Sequence, residues 1–125
     1  MGAPILVVDD NPLNSKLTKR LLMTNGYVVQ SAGNAEQALH VLTTFKPKLI
    51  LMDLQMPGLD GFELTRLLKR DPGMSDVVIV ALTAYAMKGD QERALEAGCD
   101  GYIAKPLDPR ALPALIADYL TGQHS

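Results

Sequence analysis

The chain has 125 residues, 12 Lys and Arg against 14 Asp and Glu, and a formal net charge of −2, enough for one domain with a core of its own. At 47% hydrophobic and 21% charged, with 10 Gly and 8 Pro, disordered and collagenous chains are excluded. Leu21 to Ala35 is uncharged but broken by Thr24, Asn25, Gly26, Gln30 and Gly33, Met1-Gly2-Ala3-Pro4 carries no basic leader, and Cys99 stands alone, so the expectation is a cytoplasmic protein with no membrane span, no intrachain disulfide and no basic field for nucleic acid.

In chain order, short apolar runs alternate with amphipathic stretches. Pro4 to Val8 is a continuous apolar run, the pattern of a strand buried on both faces of a parallel sheet. Asn11 opens the first helix with Pro12 at its first position, Leu13, Leu17 and Leu21 follow at i+4 spacing as an apolar stripe, and Gly26 closes it. Tyr27 to Ser31 is a weaker second strand, and Asn34 with Gln37 resembles a capping box for the second helix. Lys48 to Met52 is the third strand; Asp60 or Gly61 opens a helix through Leu64, Leu67 and Leu68, stopped by Asp71-Pro72-Gly73. Val77 to Leu82 is the fourth strand, followed by a helix from near Met87 to Gly98 and a short fifth strand, Gly101 to Ala104. Asp108 and Pro109 cap a fifth helix carrying Leu112, Leu115, Ile116 and Leu120, in which Pro113 is expected to kink the first turns. Strand and helix alternate five times, which predicts an α/β fold, a parallel sheet wrapped through right-handed crossovers.

In such a sheet ligands sit beyond the carboxyl ends of the strands. Strand one ends in Asp9-Asp10, strand three in Asp53, strand four in Thr83-Ala84 and strand five in Lys105-Pro106. If strands one and three are neighbours, about 4.8 Å apart, their carboxylates repel unless a cation belongs between them. Hard oxygen donors with no Cys or His nearby select Mg²⁺, which commonly shares its shell with phosphate oxygens. Lys105 then supplies a point charge and Thr83 a hydroxyl for phosphoryl oxygens. Asp53 is the remaining nucleophile, and its attack on phosphorus gives an acyl phosphate.

Val8-Asp9-Asp10-Asn11, Met52-Asp53-Leu54-Gln55-Met56-Pro57-Gly58-Leu59-Asp60-Gly61, Leu82-Thr83-Ala84, Ala97-Gly98-Cys99-Asp100-Gly101-Tyr102 and Lys105-Pro106-Leu107 occur in the order of a known family. Over Ile5 to about Leu120 the sequence resembles the receiver domain of two-component response regulators. Asp9 to Asn14 and Ala84 to Asp90 resemble hybrid-kinase and single-domain cell-cycle receivers more than DNA-binding regulators. The resemblance implies a doubly wound, flavodoxin-like sheet in the order 2-1-3-4-5 with helices on both faces. It also implies one receiver domain over residues 1–125 with no effector domain.

For the site, the resemblance implies that Asp53 takes a phosphoryl group from the phosphohistidine of a sensor kinase or a phosphotransfer protein. Asp10, Asp53 and the backbone carbonyl of Gln55 would hold Mg²⁺, with Asp9 acting largely through water. Lys105 would pair with the phosphoryl group, Thr83 would move toward it and Tyr102 would turn inward. The fourth helix, fifth strand and fifth helix would then present a changed surface to a phosphorylation-dependent protein target. Gln55 and Tyr85 stand where the family tunes acyl-phosphate hydrolysis, and Leu13 and Pro106 where it meets a donor.

Plainer readings stand beside these. Asp10 also suits a helix cap, Asp53 a turn before Met56-Pro57-Gly58, Thr83 strand packing, Tyr102 a half-buried strand aromatic, and Leu13 an upper core position. Two other functions compete: an aspartyl-nucleophile phosphatase, and a degenerate receiver that only binds protein. Gln55 lies where such a phosphatase needs a second Asp, and the degenerate reading must explain why all five marker side chains are present. The first βα turn, Asp9-Asp10-Asn11-Pro12, has no Gly-x-Gly for a dinucleotide.

Overall fold

The computed structural model describes residues 2–53, 61–74, 76–83, 88–104, 108 and 110–121. The elements run β1 (Pro4–Val8), α1 (Pro12–Thr24), β2 (Val28–Ala32), α2 (Ala35–Val41), β3 (Leu49–Asp53), α3 (Gly61–Arg70), β4 (Val78–Thr83), α4 (Lys88–Ala97), β5 (Gly101–Ala104) and α5 (Leu112–Thr121), with a 3-10 turn at Pro72–Met74. All strand pairs are parallel, in the order β2-β1-β3-β4-β5, so the expected doubly wound sheet is borne out. β2, β3 and β4 each lie one residue later than read from sequence. Asp53 and Thr83 are therefore the last residues of β3 and β4, held by ladder pairing to Leu82 and Ala104.

The unbroken apolar runs have a direct cause. Successive strand residues point to opposite faces, and both faces are covered. Leu6, Val8, Ile50, Met52, Ile79 and Ala81 pack with Ala35 and Ala38 of α2, Leu64 and Leu68 of α3, and Ala94 and Ala97 of α4. Ile5, Val7, Leu49, Leu51, Val80 and Leu82 pack on the other side with Leu22 of α1 and Leu112 and Ile116 of α5. Each Val, Leu, Ile or Met side chain among them stabilises the fold by about 1.5–3 kcal/mol when fully buried. Among the described residues, no helix is long and apolar enough to cross a membrane.

Helix ends follow local chemistry. The Asn11 side chain accepts from the Leu13 and Asn14 amides at 3.0 and 3.1 Å, so Asn11, not Asp10, caps α1. Gly26, at φ 92°, lets its own amide reach Met23 and that of Tyr27 reach Leu22, the paired bonds that close a helix through a left-handed residue. Gly98, at φ 111°, closes α4 in the same way. At α2, Asn34 accepts from the Gln37 amide, while Gln37 Oε1 accepts from Gly33 rather than from Asn34 itself. The expected box is thus displaced by one residue.

Two expectations are corrected. The Leu13, Leu17, Leu21 stripe does not bury α1: Leu13 is 63% and Leu17 56% exposed, whereas Ser15, Thr18 and Leu22 face the sheet. Leu13 and Leu22 are nine residues apart, which at 100° per residue sets them on opposite sides of the helix. Pro113 is not in the interior of α5. The helix starts at Leu112, so Pro113 stands in the first turn, where amides have no intrahelical partner to lose. The turn before it is made by Asp108, whose side chain accepts from Arg110 and whose carbonyl accepts from Ala111 and Leu112.

Candidate functional site

The carboxyl ends of β1 and β3 are neighbours, with Val8 level with Met52. One residue further on, Asp9 and Asp53 come side by side, each only 3% exposed, with Asp10 exposed beside them. One carboxylate oxygen from each of the three lies within 4.8 Å of the others. Asp9 is fixed at both ends: its amide donates to the Ala32 carbonyl at 3.0 Å, and its Oδ1 accepts from the Asn11 amide at 2.9 Å. The residue that caps α1 therefore also holds the first acid in place, a double role that no spacing in the sequence announces.

At that separation two unit negative charges repel by about 3 kcal/mol at an effective dielectric of about 20, the penalty that the buried Asp9 and Asp53 would carry as a pair of carboxylates. A bound cation converts that repulsion into attraction. Among the described residues the donor set consists of carboxylate oxygen, without thiolate or imidazole, which fits a hard divalent ion and not zinc or copper.

Thr83 closes β4 level with Ala104, and Tyr102 stands in β5 level with Ala81. Tyr102 is half-buried on the α4 side, against the cluster that holds Ala94 and Cys99. Leu13 is exposed one turn from the acids, so its upper-core reading is overturned. Gln55, Tyr85, Lys105 and Pro106 lie outside the described residues.

At the opposite end of the strands a second polar group was not anticipated. Asp100 Oδ2 accepts from Lys69 Nζ at 2.9 Å and from the Ile79 amide at 2.8 Å, and Lys69 Nζ also donates to the Val77 carbonyl at 3.1 Å. It ties α3 to β4 and to the start of β5. With the ionic partners 31 positions apart in the chain, only the packing brings them together.

Residues 5–117 match the response regulator receiver domain family. The chain belongs to that family. It is thus a receiver of two-component signalling, with the sheet order and acidic strand-end pocket described above. This receiver is 39% identical over 120 residues to the polar-differentiation response regulator DivK of Brucella anthropi, covering 96% of this chain and 98% of that one. Its fold superimposes on the receiver domain of a Pseudomonas aeruginosa sensor histidine kinase, solved with magnesium coordinated in its active-site cleft, with a TM-score of 0.87, 35% identity and coverage of 97% and 99%. A response regulator from Chloroflexus aurantiacus gives a TM-score of 0.91 at 28% identity, with the same coverage. A response regulator that this chain spans almost entirely and a kinase-borne receiver are both among these relatives.

Proposed function

We propose that Asp53 is the phosphoacceptor of this receiver and that Asp10, Asp53 and the Gln55 carbonyl hold Mg²⁺, with Asp9 acting through water. The observation that most supports this is the convergence of Asp9, Asp10 and Asp53 within 4.8 Å at the ends of β1 and β3. When bound, the ion neutralises the acids and stabilises charge on the transferring phosphoryl oxygens. Asp53, at the end of an unbroken buried strand, presents a carboxylate oxygen with little freedom to turn away. That oxygen attacks phosphorus, the bond from phosphorus to the donor's imidazole nitrogen breaks, and the imidazole leaves as the neutral base after taking up a proton. Lys105 balances charge on the phosphoryl group and Thr83 donates to one of its oxygens.

The donor is a sensor histidine kinase or histidine phosphotransfer protein, met in the cytoplasm. Leu13, exposed at the rim, and Pro106 contact it, while Gln55 and Tyr85 set the lifetime of the acyl phosphate. Tyr102 turns inward after transfer and alters the surface of α4, β5 and α5, whose output is a phosphorylation-dependent protein contact. The chemistry is stoichiometric on Asp53, with no external substrate turned over. Acetyl phosphate with Mg²⁺ is expected to add one phosphoryl group to the wild type, read by intact mass, and none to Asp53→Asn. Equal gain in both proteins rules out Asp53 as the acceptor.

A further inference from the structure

Gly101 opens β5 without any backbone need for glycine, since the positive φ angles among the described residues belong to Gly26 and Gly98. Its reason is space. A β-carbon at Gly101 would overlap the hydroxyl and ring of Tyr119, from α5. Tyr119 continues the buried face of α5, following Leu112 and Ile116 at helical spacing, and packs on the cluster containing Val80 and Leu82. Its hydroxyl passes beyond that cluster to the backbone of Gly101 and Tyr102. Burial pushes the Tyr119 phenol up from its ordinary value near 10.0, and the Tyr102 amide, donating to the hydroxyl oxygen, opposes the shift.

The neighbouring side chain points the other way: Tyr102 packs on the opposite cluster, on the α4 side. The dipeptide Gly101-Tyr102 is thus gripped from both faces of the sheet. β5 is four residues long and, among the described residues, pairs with β4 alone, so one of its backbone edges lacks a strand partner and contacts from the two faces add to its single ladder.

We propose that Tyr119, seated in the gap left by Gly101, is a positioning residue that links β5 to α5 and transmits the state of the Asp53 pocket to the α5 part of the output surface. This rests on the phosphoacceptor reading above. Displacement of Tyr102 shifts the backbone on which the Tyr119 hydroxyl rests, and α5 moves with it because the ring is packed into the α5 face. Without the contact, the pocket still loads but α5 no longer follows.

The test uses the whole chain with Mg²⁺ and beryllofluoride, an analogue of the carboxyl phosphate, with calorimetry for binding and hydrogen exchange for residues 112–121. In the wild type, loading changes α5 exchange. In Tyr119→Leu, which keeps an apolar body but cannot reach Gly101, beryllofluoride affinity stays within threefold while the loaded-minus-unloaded difference in α5 falls at least threefold. A purely structural role would lower the melting temperature and raise exchange in both states, leaving that difference unchanged. If Tyr119→Leu does not fold, Gly101→Ala combined with Tyr119→Leu refills the gap with a methyl group and is held to the same criterion. An unaltered α5 response in the variant, or none in a wild type that loads, overturns the link. A wild type that binds no beryllofluoride overturns the phosphoacceptor reading instead.

Discussion

Cys99 illustrates how a residue with no partner in sequence acquires one in space. Its thiol, buried between α3 and β5, donates to Thr65 Oγ1 at 3.8 Å, and Thr65 donates in turn to the Gly61 carbonyl at 2.7 Å. Burial pushes the thiol above its ordinary value near 9.0, Thr65 pulls it back, and Asp100 and Lys69 act with opposite signs. The folded state therefore keeps its proton at pH values where the unfolded chain has lost it. The contribution is complete below about pH 9 and fades as pH rises through the folded value. Urea unfolding between pH 7 and 10 is expected to show a steeper alkaline decline for the wild type than for Cys99→Ala, the excess staying under about 1.4 kcal/mol per pH unit. Parallel curves would refute it. At this scale the acids Asp9, Asp10 and Asp53 were legible because each follows an apolar run, whereas Asn11 as the support of Asp9, and Asp100 with Lys69, were not. The first is a single backbone-to-side-chain bond across two residues and the second joins side chains 31 positions apart, and neither leaves a periodic trace.

Among the elements, α1 departs most from its pattern. An i, i+4 row of leucines shows that a helix has an apolar stripe, but the sheet decides which face is buried. Here the small hydroxyl side chains Ser15 and Thr18 lie under the helix with Leu22, letting the backbone approach β1 and β2. Leu22→Ala is accordingly expected to cost about 2–5 kcal/mol, and Leu17→Ala to stay within about 0.5 kcal/mol of the wild type, both by urea denaturation. The reverse ranking would mean that α1 packs through its leucine row. Asn11→Ala removes the bonds to Leu13 and Asn14 and is expected to cost about 0.5–2 kcal/mol. A loss larger than that would point to a further role for Asn11 in the pocket. The fifth helix carries the same lesson in smaller form: Pro113 looked disruptive only while the helix was taken to begin at Pro109.

Across the whole molecule, the acidic pocket links metal binding to stability. A ligand that binds only the folded state raises stability by about 2.7 kcal/mol at a hundred times its dissociation constant. Millimolar Mg²⁺ is therefore expected to raise the melting temperature by several degrees over EDTA, and Asp10→Asn to shrink the rise. An unchanged melting temperature in the wild type at saturating Mg²⁺ would mean that the three carboxylates do not form a cation site. By itself the sequence determined the alternation of five strands with five helices, the ends of most elements and the acids at two strand ends, because these depend on residue type and spacing within a few positions. The family resemblance added the strand order. Only the tertiary structure decided that the acids of β1 and β3 meet within 4.8 Å, that α1 turns Leu13 and Leu17 outward and buries Leu22, that Lys69 meets Asp100, and that Gly101 is small to admit Tyr119. Each of these joins residues far apart along the chain, and the burial that selects them exists only once the sheet is assembled.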